Sequence, residues 1–187
     1  FTRVFWMIER GAFAELHCLS NYSFLRGASH PEELVCKASD LGYSAIAITD
    51  ECSYSGLVKA HVAAKQCGIK LIVGAEFFVD IAHGEEKNSV ENIIMLAPTR
   101  QAYGQLSAFI SKIRRKNQKG NSYLGYEDCQ IGLSDCLILW SPELQDIDIQ
   151  VSVGHKLKTI FQHFWITLEL FQDGFDIDKT AQALTLS

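Results

Sequence analysis

Apolar and polar positions alternate along the chain in two distinct rhythms. Short continuous apolar runs mark strands buried on both faces, and stripes at three- and four-residue spacing mark helices packed on one side. The first run lies around Phe13-Ala14-Glu15-Leu16 and predicts a strand that delivers His17 at its end. Ser29-His30-Pro31-Glu32 then reads as a helix start, with Ser29 as cap and Glu32 reaching back. Leu34, Val35, Ala38 and Leu41 form its stripe, and Gly42 ends it. Residues 44–49 predict a second strand ending at Asp50-Glu51. Leu57, Ala60, Ala64 and Cys67 predict a second helix from about Gly56, with Gly68 as its stop. Residues 70–76 predict a third strand, which Phe77-Phe78-Val79 can extend.

The second half continues the pattern. Residues 83–91 are polar and predict a surface loop, followed by a strand from Asn92 to Ala97. Thr99 is placed to cap a long helix carrying Tyr103, Leu106, Phe109, Ile110 and Ile113. Its end is basic: Lys112, Arg114, Arg115 and Lys116, with Lys119 just beyond. These cations suit the negative end of a helix dipole, and contact with DNA phosphates is the alternative. A loop with room for a short helix spans 120–132, and residues 136–140 predict another strand. From Gly154 to about Asp173, apolar residues recur at helical spacing and predict a final helix. Strands alternating with helices imply an α/β fold with a mostly parallel sheet.

Composition narrows the class. The chain has 187 residues, enough for one domain with a substantial core. It is 48% hydrophobic and 21% charged, ordinary for a globular protein, and its net charge of -5 disfavours a nucleic-acid surface spread over the whole domain. The six cysteines contain no CxxC pair, so they read as reduced core residues in a cytoplasmic protein. No run approaches the roughly 18 apolar residues of a membrane span. Residues 1–12 form an unassigned N-terminal extension that makes a poor signal peptide, and 13–187 form the domain. The first residue is not Met and the last four are Leu184-Thr185-Leu186-Ser187, so the expectation is a piece of something longer.

Candidate chemistry gathers at predicted strand ends. In α/β folds the loops at carboxyl ends of strands form the functional mouth. His17, Asp50, Glu51, Glu76 and Asn92 all fall at strand ends or edges and are expected to converge. Each also has a plainer role. His17 is equally a buried histidine bonded to a carbonyl, Asp50 a loop support, Cys136 a small core residue, and His30 and His61 structural. His155 and His163 carry no assignment.

Three spaced segments resemble a known family. They are 16–28 (Leu-His-Cys-Leu-Ser-Asn-Tyr-Ser-Phe-Leu-Arg-Gly-Ala), 47–51 (Ala-Ile-Thr-Asp-Glu) and 72–77 (Ile-Val-Gly-Ala-Glu-Phe). Together they resemble the N-terminal PHP (polymerase and histidinol phosphatase) domain of bacterial replicative polymerase alpha subunits, nearest to the error-prone branch. The resemblance is strong over 13–80 and continuous to about 140. It implies a distorted (β/α) barrel of PHP type, incomplete at its C-terminus.

The resemblance also implies a fate for the metal site. Active PHP domains hold three metals, whose bound hydroxide attacks a phosphate ester. Of the implied ligand positions, His17, Glu51, Glu76 and Cys136 remain as candidates, enough at most for a residual zinc or manganese ion. Leu19, Arg26 and Asn92 stand where further ligands are implied. Arg26 is expected to pair with Glu51 and Glu76 and so turn a metal site into an ion-pair site. The implied function is the PHP module of an error-prone DNA-directed DNA polymerase, with a mainly structural role. The parent chain would use magnesium and contact DNA and polymerase subunits. A metal-dependent phosphoesterase or 3′–5′ exonuclease, and a non-catalytic scaffold, are the alternatives.

Overall fold

A computed structural model describes residues 13–81, 90–118, 121–130, 132–144 and 146–187. The proposed extension at 1–12, most of the predicted loop at 83–91, and Lys119 lie outside the described residues. The elements run β1 (Ala14–Glu15), α1 (Pro31–Asp40), β2 (Ala45–Ile48), α2 (Leu57–Cys67), β3 (Lys70–Asp80), β4 (Val90–Ala97) and α3 (Arg100–Lys116). They continue with β5 (Leu124–Gly125), a 3-10 turn (Tyr126–Gln130), β6 (Leu137–Ser141), α4 (Ile147–Ile160), β7 (Phe164–Ile166) and α5 (Asp176–Leu186).

One sheet organises these elements, in the order β1-β2-β3-β4-β6-β7, with β5 pairing β3 from off that path. Its pairs are parallel except where β4 runs antiparallel to both β3 and β6. Nine residues, 81–89, separate β3 from β4, fewer than the crossover of a parallel pair needs, so an antiparallel pairing is the natural result. Among the described residues β1 and β7 are the two edges and do not pair with each other. No helix is long and apolar enough to cross a membrane among the described residues.

Successive side chains of a strand point to opposite faces, and that alternation sorts the core. Ala75, Phe77 and Val79 of β3, Ile93 and Met95 of β4, and Ile138 and Trp140 of β6 face Leu106, Phe109 and Ile113 of α3 and Val153 and Leu157 of α4. Ile46 and Ile48 of β2 face Val35 and Ala38 of α1 and Ala60, Ala63 and Ala64 of α2. The opposite, concave face carries a smaller cluster of Ala47, Ile94, Leu96 and Leu139, joined by Leu16, Ile72, Leu137 and Trp165. Glu76 lies beside Ile94, and Ile94 beside Leu139, so Glu76 belongs to this concave face.

The predicted elements are altered at several points. The α1 cap is His30 rather than Ser29, and Glu33 rather than Glu32 accepts the His30 backbone N–H at 2.8 Å. Pro31 occupies the first helical position, which shifts the box by one residue. Gly42 and Gly68 follow α1 and α2 with φ of 75° and 71°, the left-handed turn expected of a helix stop. Thr99 caps α3 by accepting from the Ala102 N–H at 3.1 Å. Glu91 is a buried residue of β4, not of the polar loop, and accepts from Trp140 Nε1 at 2.8 Å.

The largest change concerns the predicted helix over Gly154–Asp173. α4 begins earlier and stops at Ile160, and Phe164-Trp165-Ile166 forms β7 alongside Ile138-Leu139-Trp140. Aromatic and β-branched side chains fit a pleated, half-buried surface, and the open edge of β6 gives this segment its ladder. A further helix, α5, follows at Asp176–Leu186, beyond the end of the predicted one.

Gly27 sits where the β1–α1 loop folds back on itself. A Cβ there would lie 2.0 Å from the Ser20 carbonyl oxygen. Gly27→Ala is expected to cost about 1–3 kcal/mol, because the clash is with backbone and not with a movable side chain. Urea denaturation measures this, and a loss confined to a few tenths of a kcal/mol would count against the packed loop.

Candidate functional site

The mouth is built from the carboxyl ends of β1, β2 and β7, the middle of β3 and the amino-terminal part of antiparallel β4. The loop after β1 carries His17, Ser20, Ser23 and Arg26, and the turn after β2 carries Asp50 and Glu51. Glu76 projects from β3, Asn92 from β4, and Glu169 from the segment after β7. Asp50 is buried and holds the first loop in place. It accepts from the Ser20 N–H at 2.8 Å, the Ser20 hydroxyl at 2.6 Å and the Ser23 hydroxyl at 2.7 Å. The Ser23 hydroxyl also accepts the Glu51 N–H at 3.0 Å, so the two loops are tied in both directions.

Glu76 is the centre of the cluster and is fully buried. His17 Nε2 donates to its Oε2 at 2.9 Å. Arg26 donates to Oε1 through Nη1 and to Oε2 through Nη2, a two-point grip on one carboxylate. Asn92 Nδ2 adds a longer contact at 3.4 Å. Arg26 also reaches Glu51 at 3.5 Å and lies over the Phe78 ring, 4.8 Å from its centroid. Glu51 accepts from the Ser122 hydroxyl at 2.7 Å, and its backbone carbonyl accepts from Arg114 at 3.1 Å.

The other nitrogen of His17, Nδ1, donates to Glu169, whose second oxygen accepts from Ser141 at 3.5 Å. A ring that donates from both nitrogens is an imidazolium. Burial opposes that charge, but the hydrogen bonds and charges of Glu169 and Glu76 outweigh it and raise the His17 pKa to about 9. Burial acts against the Glu76 charge as well, and the bonds from His17 and Arg26 overcome it and hold its carboxyl below the usual range.

Of the sequence-selected residues, His17, Arg26, Glu51, Glu76 and Asn92 meet in one network, with Asp50 beneath it. Leu19 lies on the same loop and offers no donor atom. Cys136 does not join them. It precedes β6, is buried in the cluster on the opposite sheet face, and its thiol donates to the Ala102 carbonyl at 3.7 Å. Glu169 was hidden within the predicted final helix. A carboxylate three residues beyond the aromatic run 164–166 is the signal that marks it, the same logic that selected Asp50 and Glu51.

The basic end of α3 is engaged within the chain. Lys112 and Lys116 pair with Asp128 at 3.6 and 2.5 Å, Arg114 donates to the Glu51 and Cys52 carbonyls, and Arg115 donates to the Ser111 carbonyl. Lys112, Arg114 and Lys116 fasten the helix to its neighbours, while Arg115 bonds only within its own helix.

Two outcomes test the network. The His17 ring has a folded pKa above its ordinary 6.5, so its contribution to stability is complete below about 6.5 and is lost as pH rises through about 9. The stability difference between the protein and its His17→Gln variant should therefore shrink across that window. An imidazole titrating by NMR at or below its ordinary value would sink the pairing. Arg26→Ala should cost about 2–3 kcal/mol at neutral pH, less than a fully buried pair because the arginine is partly exposed. Adding Glu76→Gln should recover part of that loss, and strict additivity in the double-mutant cycle would show that the two do not interact.

The sequence and fold have known relatives. Residues 15–160 match the family described as PHP domain. The chain is 47% identical over 173 residues to an error-prone DNA polymerase of Idiomarina loihiensis, covering 92% of this chain and 16% of that protein. It is 46% identical over 188 residues to an error-prone DNA polymerase of Saccharophagus degradans, covering 92% of this chain and 18% of that protein. The chain thus spans less than a fifth of either relative. In fold it is similar to an amidohydrolase from Chromobacterium violaceum, with a TM-score of 0.67 at 16% identity over 91% of this chain and 82% of that one. With 146 consecutive positions matched from β1 to the end of α4, this chain belongs to the PHP domain family.

Proposed function

We propose that this chain is the PHP module of a longer error-prone DNA-directed DNA polymerase, and that its own mouth is an ion-pair site with a structural role. The observation that carries the second half is the grip of Arg26 on both oxygens of Glu76. A metal ligand must offer a free lone pair. Here both nitrogens of His17 carry protons that point at carboxylates, and Glu76 already accepts from three side chains. The orphaned oxygen of the set is Asn92 Oδ1, a neutral and weak ligand. Leu19 adds nothing, Cys136 faces away, and Glu51 is shared between Arg26 and Ser122. These residues do not fit a multi-metal hydrolase centre. A single zinc or manganese ion would have to displace the Arg26 guanidinium and take the proton from His17.

In this reading the mouth performs a mechanical task. It locks the loops after β1 and β2 and the strand β3 into one unit, and ties the β7 edge to the β1 edge. Synthesis would belong to a magnesium-dependent palm elsewhere in the parent chain, which would work in the cytoplasm with DNA and polymerase subunits as partners. The names of the relatives support the parent. Sequencing the gene past the codon for Ser187 tests it, and a continuation without a carboxylate-bearing palm would overturn it.

The alternative of a metal-dependent phosphoesterase or 3′–5′ exonuclease makes the opposite forecast. Purified protein with added manganese or zinc is expected to release no phosphate or nucleotide above the blank. Release that His17→Ala and Glu76→Ala both abolish would establish the hydrolase instead.

A further inference from the structure

The turn after β2 and one face of α3 leave an open groove between them, with a volume of about 590 Å³. That volume is within the range of small-molecule sites. Ser107, Ser111 and Arg114 line it from α3, at the four- and three-residue spacing that shares one helix face. Ser53 and Ser55 line it from the turn, and Tyr22 of the loop after β1 adds an aromatic ring that is 40% exposed. Neither His17, Arg26, Glu51, Glu76 nor Asn92 of the mouth lines this groove. Its walls are set by bonds within the chain. Arg114 donates from Nε to the Cys52 carbonyl at 3.0 Å and from Nη2 to the Glu51 carbonyl at 3.1 Å. Cys52 has a φ of 44°, uncommon for a residue with a side chain, and its N–H donates to the Glu76 carbonyl at 2.9 Å. The Ser53 and Ser55 hydroxyls lie 2.8 Å apart, and Tyr54 stacks on Tyr103 of α3 with ring centres 5.4 Å apart. Two groups facing this groove remain unused among the described residues: the Nη1 of Arg114 and the Ser107 hydroxyl. No carboxylate there pairs with Arg114, since the Glu51 side chain is taken up by Arg26 and Ser122.

We propose that this groove binds the phosphate group of a nucleotide. Arg114 presents a permanent charge and the free N–H donors of Nη1, already aimed because its other nitrogens are fixed to the turn. Serine hydroxyls stand on both walls and can each donate. A phosphate offers acceptor oxygens in several directions, which suits donors on two sides of a groove better than the flat pair of oxygens on a carboxylate does. The Tyr22 ring beside these donors gives the flat face of a base a surface to stack on. Lys59 lies over the same ring, with Nζ 5.9 Å from its centre, and shares its charge with Glu32 at 3.7 Å. A nucleotide carries both the phosphate and the flat ring that these residues match. A free mononucleotide and a nucleotide within a single strand share that chemistry. The inference stands on the groove and not on the identity of the parent chain, so its failure would leave the reading of the mouth as it is.

The test titrates the protein with a deoxynucleoside 5′-monophosphate, the same nucleoside without phosphate, inorganic phosphate, and a short single-stranded oligonucleotide. Amide shifts are read by NMR at low ionic strength. The monophosphate or the oligonucleotide should give saturable shifts at Ser53, Ser55, Ser107 and Ser111, and inorganic phosphate should compete. The bare nucleoside should bind more weakly by about tenfold or more, the worth of a charged hydrogen bond. Tighter binding of the oligonucleotide with a steep salt dependence identifies a strand as the source, and equal binding identifies the free nucleotide. Arg114→Gln should weaken binding by about tenfold or more. Ser107→Trp fills the groove without touching the bonds from Arg114 to the turn, and should abolish binding even if Arg114→Gln fails to fold. The comparison of nucleotide with nucleoside on the unaltered protein needs neither variant. Shifts that never saturate, equal binding of the nucleoside, or binding that survives both substitutions unchanged would overturn the proposal.

Discussion

A fully buried carboxylate is the constraint on which the mouth depends. Glu76 projects from a central strand into the concave face, where an unpaired charge would cost several kcal/mol. Two cations meet it there, the Arg26 guanidinium and the His17 imidazolium. Neither is free to choose its position. Arg26 is set by a loop that Asp50 fastens through Ser20 and Ser23, and His17 is set by the end of β1 and by Glu169. Satisfying one buried charge therefore fixes several backbone segments.

The same network explains how an open sheet holds its edges. β1 and β7 stand at opposite ends of the strand order, and no ladder joins them among the described residues. The His17 side chain spans that gap, with Glu76 of β3 on one nitrogen and Glu169 beyond β7 on the other. A charge-assisted bond takes the place that backbone pairing would have in a closed barrel. Side-chain cations, Arg26 and His17, neutralise the buried carboxylate here.

The outer helices obey a different rule. They are held by close packing of small and branched residues against β2 and β3, with few charges involved. That side is held by apolar packing, where the mouth is held by charge. The basic end of α3 ties the turn after β2 and the 3-10 turn to the helix, since Arg114 holds the backbone of Glu51 and Cys52 while Lys112 and Lys116 hold Asp128.

Much of this was legible from residue order alone. The buried runs at 45–48 and 70–80, the stripes of α1 to α3 and the cap at Thr99 follow from local periodicity, and so does the placing of His17, Asp50, Glu51 and Glu76 at one mouth. The pairing of Arg26 with Glu76 was expected from the family resemblance, which sets a fixed cation beside that carboxylate, and not from local pattern. Local pattern could not separate α4 from β7, because Phe164-Trp165-Ile166 fits either period until the edge of β6 is present to receive it. It could not find Glu169, which is 152 residues from His17 in the chain and meets it only through the curl of the sheet. Nor could it place Cys136, whose orientation is set by the pleat of a strand that begins one residue later. Sequence determined the elements and the residue types at the mouth, whose signals are local. Tertiary structure decided which carboxylate meets which cation, because that depends on strand order and sheet face.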